Sequence, residues 1–365
     1  MFTAKPSTCT GRAALPANEL LDTLLHAGDM VNVASMNQTS GGVTTGTVTD
    51  VDVTAIIVNY NTKVLLRPCI DALCASASGL RLQIVIVDNA SCDGSTQVLK
   101  TEFTACDLLF NETNVGFGRA NNQALSLARG RHLLLLNTDA FVAPDSLVRT
   151  VNFLDARPTC ALVGVRLVGR DGVLQPCCRY FPTPWTDFLS RTGLSRFFPR
   201  VRLMDDMTWD HASPRECDWV PGCFYLVRRR VVDQVGLFDP RYFLYYEEVD
   251  HCRAVKAAGW QVMFCPDTTV VHIGGESAKF DSKVTPIGRQ ISALQIESGL
   301  LYYRKHHGGV GLWMAVLLST LADALAMLKS LVRNRPLGTV AASWRHAALT
   351  WSLAWKTSSG LRPTR

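Results

Sequence analysis

Three acidic residues within four positions, Glu247, Glu248 and Asp250, are the densest group of candidate proton acceptors in the chain. They follow a run of aromatic residues that includes Phe243 and Tyr246. An apolar environment raises the pKa of a carboxyl group, and a raised pKa suits a carboxylate to accept a proton near neutral pH. The alternative interpretation is a solvated helix face.

Two further residues are candidate metal ligands because each one directly follows an apolar run. Asp139 comes after "HLLLLNT" and His272 after "TTVV". A carboxylate oxygen suits Mg²⁺ or Mn²⁺, which commonly binds one or two protein carboxylates together with substrate phosphates. Such an ion acts as a Lewis acid and neutralises charge on a leaving diphosphate. The alternative interpretation is that Asp139 is a capping or surface residue and that His272 is a packed imidazole without a metal.

Polar residues also follow two earlier apolar runs, at 59–61 and 88–91. Asp88 and Asn89 are candidate ligand-binding residues, and the alternative interpretation is that they cap the helix that follows them. Gly116 and Gly118 precede another predicted helix, where backbone amides can approach a phosphate. They follow the third predicted strand, whereas a dinucleotide fingerprint follows the first. A nicotinamide-dependent enzyme is therefore a disfavoured alternative class.

The elements that must position these residues alternate between apolar strands and helices from Thr54 onward. "TAIIVNY", "LQIVIVD", "DLLFNE" and "HLLLLN" are predicted strands with helical patterns between them, the third helix ending at Gly130. Such alternation predicts right-handed βαβ units, and thus an α/β fold with a mostly parallel, Rossmann-like sheet flanked by helices. Ligands bind at the carboxyl ends of such strands. We therefore expect the polar residues at 59–61, 88–91 and 137–139 to line one sheet edge.

Charge and composition separate the two ends of the chain from its body. Residues 1–50 are rich in Ser, Thr, Gly and Asn, which predicts a mobile extension. Residues 301–365 contain nine basic residues and one acidic residue, so the basic surplus belongs to the tail and a nucleic-acid-binding body is not indicated. The twelve cysteines lack paired CxxC spacing, and we expect reduced thiols rather than a zinc site.

The tail itself is predicted to be helical and amphipathic. Residues 310–328 reach the lower length limit for a membrane span, but Asp323 near the middle would be costly there. Leucines recur on one side of this helix, and tryptophans recur at helical spacing near residues 344–355. These patterns predict a helix that lies in a membrane interface. The alternative is a helix packed on the protein's own body.

Seven motifs in order resemble those of family-2 glycosyltransferases with the GT-A fold, and more narrowly bacterial rhamnosyltransferases of cell-surface polysaccharide assembly. The motifs are "VNYNT", "IVIVDNASCDGS", "NVGFGRANNQAL", "LLLLNTDA", "DWVPGCFYLVRR", "VGLFDPRYFLYYEEVD" and "VVHIGGES". The resemblance runs from about Thr54 to Ser277. It implies a glycosyltransferase domain at 51–300, with a nucleotide-binding half at 51–150 and an acceptor half at 151–300, followed by the helical tail.

The resemblance also implies roles for individual residues. Asp139 would hold the metal ion as the remaining acid of a DxD-type motif, because its partner position is Asn137. Glu248 would be the catalytic base at a position where the family carries Asp, and position 254, where the family tends to carry Arg, is Ala254. Trp219 and Gly222 would shape the sugar and acceptor pocket. The nucleotide-sugar site would be lined by Asn59, Tyr60, Asn61, Asp88, Asn89, Gly116, Asn121, Asn122 and Thr138.

The implied reaction is an inverting transfer of a sugar to a hydroxyl group. The donor would be dTDP-rhamnose or a UDP-sugar, the cofactor Mg²⁺ or Mn²⁺, and the acceptor a lipid-linked sugar or a polysaccharide in cell-surface glycan synthesis. The expected location is cytoplasmic, at the inner face of the cell membrane. A non-catalytic relative that binds nucleotide or glycan is the alternative, favoured by the changes at Glu248 and Ala254.

Overall fold

The computed structural model describes residues 51–274 and 293–365, so the extension predicted at 1–50 lies outside the described residues. The strands are β1 (Val53–Asn59), β2 (Leu82–Asp88), β3 (Asp107–Phe110), β4 (His132–Asn137), β5 (Ala140–Val142), β6 (Cys160–Val168), β7 (Arg215–Cys217), β8 (Phe224–Arg228) and β9 (Gln261–His272). The helices are α1 (Lys63–Ser76), α2 (Ser95–Glu102), α3 (Phe117–Ala124), α4 (Ser146–Asp155), α5 (Pro184–Thr192), α6 (Arg229–Val235), α7 (Glu247–Ala257), α8 (Ala293–Val332) and α9 (Leu337–Lys356).

One mixed sheet runs through the body in the order β3-β2-β1-β4-β8-β6-β9-β5, and β7 pairs with β9. Strands β3, β2, β1 and β4 are mutually parallel, as are β6 and β9, whereas β8 is antiparallel to both of its neighbours. The predicted α/β architecture, a central sheet flanked by helices with a helical C-terminal region, is confirmed. The sheet is mixed rather than mostly parallel, because β5, β7 and β8 all pair in the antiparallel sense.

The centre of the sheet is apolar because its strands are covered on both faces. Ala55, Ile56 and Ile57 of β1 are fully buried, as are Leu133 and Leu134 of β4. Continuous apolar runs of this kind are typical of parallel strands between helical layers. The turns that carry polar residues therefore extend from a rigid core.

Gly130 does not end helix α3, which stops at Ala124. The glycine instead lies against β1, where its amide donates to Thr54 Oγ1 at 2.8 Å. A Cβ atom added at residue 130 would lie 2.3 Å from the backbone nitrogen of Thr54. The prediction of a helix C-cap was wrong because the glycine is required for close approach of two backbones.

The C-terminal helices form a pair that packs on the body. Helix α8 is interrupted at Gly308, which has φ 67° and ψ −168°, and the expected boundary at residue 300 lies inside this helix. Its second half packs against α9 and against α5 of the body. By length and composition alone α8 could cross a membrane, although 28% of its most apolar window is buried inside the protein.

The side of α8 that carries Asp323 faces the protein, and its leucine side faces solvent. Asp323 is only 3% exposed, and its carboxylate contacts Arg191 at 2.5 Å and His346 at 2.7 Å. The leucine face, by contrast, is exposed, with Val310 at 78%, Leu317 at 57% and Leu328 at 58%. We define this face as Val310, Met314, Leu317, Leu321, Leu325 and Leu328. The helix thus packs on the body, as the alternative interpretation expected, while its apolar stripe stays uncovered within the described residues.

We predict that Gly130→Ala destabilises the protein by about 1–3 kcal/mol, because the added methyl group meets a backbone that cannot move aside. Gly338→Ala is the matched control. Residue 338 lies exposed in α9 with no atom near the added methyl group, so this change should be neutral or stabilising by up to about 1 kcal/mol. Denaturant unfolding of both variants measures the difference, and equal stabilities would contradict the close-approach argument.

Candidate active site

The polar ends of β1, β2 and β4 lie side by side at one edge of the sheet. Asn59 is in register with Asp88, and Val58 is in register with Asn137. This arrangement follows from the parallel pairing of strands that end at the same level. The predicted convergence of these strand ends is confirmed.

A hydrogen-bond network fixes the loop after β1. Asn59 donates from Nδ2 to Asp88 Oδ1 at 2.7 Å and to Ser91 Oγ at 3.0 Å. Thr62 donates to Asn59 Oδ1 at 2.7 Å and lies 2.9 Å from the hydroxyl of Thr138. The network links the ends of three strands, so the edge is rigid.

Asp88 and Asn61 are both used to shape this loop. The buried Asp88 carboxylate also accepts a hydrogen bond from Thr96 at 2.8 Å. Asn61 has a positive φ of 54°, and its side-chain oxygen accepts from the Cys92 amide at 2.8 Å. Tyr60, the residue before Asn61, is partly exposed. Tyr60 is therefore the side chain of this loop with surface left to meet a ligand.

Asn89 and Gly116 hold the loop that leads into α3. Asn89 donates to Asn114 Oδ1 at 2.8 Å and accepts from the Val115 amide at 3.0 Å. Gly116 has φ 89°, and a Cβ atom there would lie 2.4 Å from the carbonyl oxygen of Phe243. The glycine therefore allows the loop to touch the segment that precedes α7.

Asn121 and Asn122 lie on α3 and face the same region. Asn122 exchanges two hydrogen bonds with the backbone of Phe238, at 2.7 and 3.1 Å. Asn121 donates to the Phe117 carbonyl, while its buried Oδ1 atom has no hydrogen-bond partner among the described residues. Asn122 thus joins α3 to the segment at Phe238, and the Oδ1 atom of Asn121 keeps an acceptor available.

Asp139 and His272 meet where β5 pairs with β9. Their side chains approach to 3.6 Å between Oδ1 and Nε2, and the Ile273 amide donates to the Asp139 carbonyl. Gln175 donates to the His272 carbonyl at 2.9 Å, so its oxygen faces Nδ1 at 3.0 Å and that nitrogen carries the proton. Nε2 is thereby turned toward Asp139.

This pair fits a divalent cation that also binds a substrate. Burial disfavours the imidazolium, but Cys223 and the Asp139 carboxylate outweigh this effect and raise the pKa of His272 to about 9. The raised pKa means that Nε2 also carries a proton near neutral pH, and a metal ion that binds Nε2 would displace this second proton. Within the described residues no three His, Cys, Asp or Glu side chains form a complete metal cluster, so phosphate oxygens would have to supply further ligands.

Two strained tyrosines precede the acidic helix. Tyr245 and Tyr246 have φ values of 71° and 70°, a conformation that non-glycine residues rarely adopt and that costs about 1–3 kcal/mol each. The strain is maintained by packing, since the Tyr246 ring lies against the Tyr302 ring of α8, with the centroids 5.2 Å apart and the planes tilted by 44°. The turn brings Glu247 and Glu248 to the first turn of α7, facing the body.

Glu247 and Glu248 differ in exposure although both carboxyl groups are poorly solvated. Burial, followed by the charge of Glu248, raises the pKa of Glu247 well above its usual value. Burial likewise raises the pKa of Glu248. Oε2 of each residue has no hydrogen-bond partner among the described residues. Glu247 is buried, whereas Glu248 is partly exposed as a residue although its Oε2 atom is buried.

Asp250 has a different environment from the glutamates. Its carboxylate contacts Lys305 Nζ at 2.7 Å and His306 Nε2 at 2.6 Å, and Tyr242 donates to it at 3.3 Å. Lys305 and His306 belong to α8. Asp250 therefore ties the acidic helix to the C-terminal region.

A short segment before β8 connects the Asp139 side of the site with the Glu248 side. The Asn137 amide donates to the Cys223 carbonyl at 3.1 Å, and the Cys223 side chain interacts with His272. At the adjacent Gly222, an added Cβ atom would lie 3.9 Å from the Cβ atom of Glu248. The two predicted functional groups therefore flank the same short segment.

Trp219, predicted to shape the sugar and acceptor pocket, packs against Arg179. Trp219 is buried, and its indole nitrogen donates to the Tyr180 carbonyl at 2.9 Å. The Arg179 guanidinium lies 4.2 Å from the Trp219 ring and partly offsets the effect of burial on the Glu248 carboxyl. Arg179, Lys305 and His306 are not among the predicted site residues, because no spacing pattern links these distant residues to the acidic helix.

Comparison with known proteins identifies one family over part of the chain. Residues 54–193 match the model described as "Glycosyl transferase family 2". The resemblance found in the motifs is thus confirmed. The matched residues include Asp139 but end before Glu248.

Relatives extend the similarity further along the chain. An "N-acetylglucosaminyl-diphospho-decaprenol L-rhamnosyltransferase" of Mycobacterium tuberculosis is 27% identical over 268 residues, which cover 69% of this chain and 83% of that protein. The "Low-salt glycan biosynthesis hexosyltransferase Agl10" of Haloferax volcanii is 21% identical over 227 residues, 60% of this chain and 67% of that protein.

Solved structures give low similarity scores. "Mannosyltransferase PcManGT from Pyrobaculum calidifontis in complex with GDP-Man and Mn2+" has a TM-score of 0.46 and 17% identity, covering 84% of this chain and 87% of that one. "S. aureus TarS 1-349 in complex with UDP-GlcNAc" has a TM-score of 0.43 and 15% identity, covering 85% and 92%.

We predict that Glu247→Gln stabilises the protein by about 1–3 kcal/mol near neutral pH. Because the folded-state pKa of Glu247 is raised, its stabilising contribution is complete below 4.5, the unfolded value, and is lost as pH rises toward the folded value. Glutamine resembles the protonated form at every pH, so the gain should vanish in acid.

Denaturant unfolding at several pH values measures this gain. Glu112→Gln, at an exposed glutamate, is the matched control and should change stability little. A loss of stability in Glu247→Gln at neutral pH would show that the buried carboxylate is charged and partnered.

Proposed function

We propose that the protein is an inverting glycosyltransferase that transfers a sugar from a nucleotide-diphosphate donor to a hydroxyl group, a proposal supported by the match of residues 54–193 to the family 2 glycosyltransferase model. The observation that carries this proposal is the position of Glu248, a partly exposed residue beside Gly222. The next residue, Cys223, interacts with His272 of the candidate metal pair.

The donor would lie along the sheet edge formed by β1, β2 and β4. Tyr60 has free surface in the rigid loop after β1, and Asn121 keeps an unused acceptor nearby on α3. Asp139 and His272 would hold Mg²⁺ or Mn²⁺ against the donor diphosphate. When bound, the ion supplies charge neutralisation to the leaving group.

Glu248 would act as the general base. It accepts the proton of the acceptor hydroxyl as the acceptor oxygen forms a bond to the anomeric carbon. The bond from that carbon to the diphosphate oxygen breaks on the opposite face, and the configuration inverts. Burial raises the pKa of Glu248, which favours proton transfer near neutral pH. Asp250 is less suited, because Lys305 and His306 occupy its carboxylate.

The donor sugar and the acceptor are proposed from the similarity to the mycobacterial N-acetylglucosaminyl-diphospho-decaprenol L-rhamnosyltransferase, of which this chain covers 83%. We propose L-rhamnose from a dTDP donor, with a UDP-sugar as the alternative, and a polyprenol-diphosphate-linked sugar as acceptor in cell-surface glycan synthesis.

A lipid-linked acceptor agrees with the exposed leucine face. Scattered apolar residues are normal on a surface, but a continuous exposed stripe indicates an interaction site. The exposed Trp344 and Trp355 of α9 add aromatic groups that favour a membrane interface. Basic residues of α8, of α9 and of the turn between them are also exposed, namely Lys329, Arg333, Arg335, Arg345 and Lys356. We propose that the tail lies on the anionic cytoplasmic surface of the cell membrane, without crossing it.

We predict that Glu248→Gln lowers sugar transfer by about 10²–10⁴-fold, because an amide cannot accept the proton. Asp139→Ala should cause a loss of similar size and weaken donor binding. Both variants should keep the unfolding transition of the wild-type protein. Nucleotide-diphosphate release with dTDP-rhamnose and UDP-sugars, in the presence of acceptor, measures the loss.

Glu247→Gln is the matched control and should retain most of the activity. If Glu248→Gln turns over near the wild-type rate while Glu247→Gln does not, the base is Glu247. If neither variant nor the wild-type protein releases nucleotide with any donor, a non-catalytic nucleotide- or glycan-binding protein is the better description.

We predict that serine at Leu317, Leu321 and Leu328 together lowers partitioning onto anionic phosphatidylglycerol vesicles by at least about tenfold, because each buried leucine contributes about 1.5–3 kcal/mol. Serine at the exposed Val64, Val173 and Met207 of the body is the matched control. Co-sedimentation measures both variants. Equal partitioning of wild type and leucine variant would remove the membrane proposal.

A further inference from the structure

A cavity of about 390 Å³ lies where α5, α8 and α9 meet, away from the sheet edge. Its apolar wall contains Phe188 of α5, Ile296 and Leu300 from the first half of α8, and Ala315 and Val316 from the second half. The cavity therefore lies between the body and the C-terminal helices. Its volume falls in the usual range of small-ligand sites.

The polar side chains of this cavity already have partners in the protein. Tyr303 donates a short hydrogen bond to Asp187. Arg191 donates to Ser319 Oγ at 2.6 Å and to Asp323 at 2.5 Å. A ligand in this cavity would not be needed to satisfy these groups. The cavity therefore favours an apolar occupant over a sugar or a nucleotide.

The cavity is lined by residues that neighbour two regions needed for the proposed reaction. One is Tyr246, the residue directly before the acidic pair. Others are Ala315 and Ser319, which occupy the same helical turns as the exposed Met314 and Leu317 but line the side of α8 that faces the body. A chain bound in the cavity would pass around α8 to reach the leucine face.

We propose that this cavity binds the sugar-proximal part of the hydrocarbon chain of a lipid-linked acceptor. The inference rests on the proposed function and adds a chain-binding site to it. The bound segment would hold the acceptor sugar near Glu248, while the remainder of the chain continues along the leucine face into the lipid. Each buried methylene contributes about 0.8 kcal/mol, so a few carbon atoms are enough to distinguish a long chain from a short one.

The test compares binding of two acceptors that share a sugar-diphosphate head, N-acetylglucosaminyl diphosphate, and carry either a farnesyl or a methyl group. The full-length protein is titrated with each by calorimetry, which does not depend on turnover. The wild-type protein should bind the farnesyl compound at least about tenfold more tightly than the methyl compound.

Ala315→Phe fills the cavity and should remove this preference, raising the Kd of the farnesyl compound about tenfold and leaving the methyl compound unchanged. Ala324→Phe is the matched control, because it is the same substitution at an exposed position of the same helix. It should keep the preference. Ala315→Leu, a smaller addition, replaces Ala315→Phe if the larger side chain prevents folding.

Farnesyl binding that is unchanged in Ala315→Phe would overturn the inference. The same conclusion would follow if dioleoyl phosphatidylglycerol displaced the farnesyl compound at equal concentration, since the cavity would then be a general lipid site. Loss of binding in Ala315→Phe, together with absent sugar transfer by the wild-type protein, would support the chain site and reject the proposed enzyme activity.

Discussion

The register of the parallel strands is the constraint on which the candidate site depends. Because β1, β2 and β4 end at the same level, Asn59, Asp88 and Asn137 reach one edge without any special loop geometry. The hydrogen bonds from Asn59 to Asp88 and from Thr62 to Asn59 then use up polar groups that would otherwise be unpaired in a buried position. The remainder of the site is assembled against this fixed edge.

The acidic side of the site is assembled by less regular means. Glu247 and Glu248 follow two tyrosines in a left-handed conformation, and the packing of Tyr246 on Tyr302 of α8 maintains that conformation. Gly116 allows the loop before α3 to touch the Phe243 backbone on the other side. Strain of this kind is common where a functional group must be held in one orientation.

The strands and their shared edge could be predicted from the sequence because continuous apolar runs and strand ends are local features. The partners of the edge residues could not. Asp88 was expected to contact a ligand, but Asn59 and Thr96 hold its oxygens, and this pairing depends on the register of separate strands. The helical wheel separated the leucines of α8 from Asp323 correctly, but it could not indicate which side meets the body. Arg191 and His346, distant in sequence, decide that orientation. The roles of Asp139, Glu248 and the other site residues stay predictions.

The contact of Asp250 with Lys305 and His306 has a practical consequence for protein production. Shortening a chain before an apolar C-terminal helix is a common route to better solubility. Here a cut before residue 305 would leave the buried Asp250 carboxylate without Lys305 and His306, and loss of a buried charged partner costs about 3–5 kcal/mol. Inactivity of such a shortened protein would then report damage to the acidic helix and say nothing about lipid. A cut after Gly308 would keep both partners, but would expose the apolar residues of the body that α8 and α9 cover.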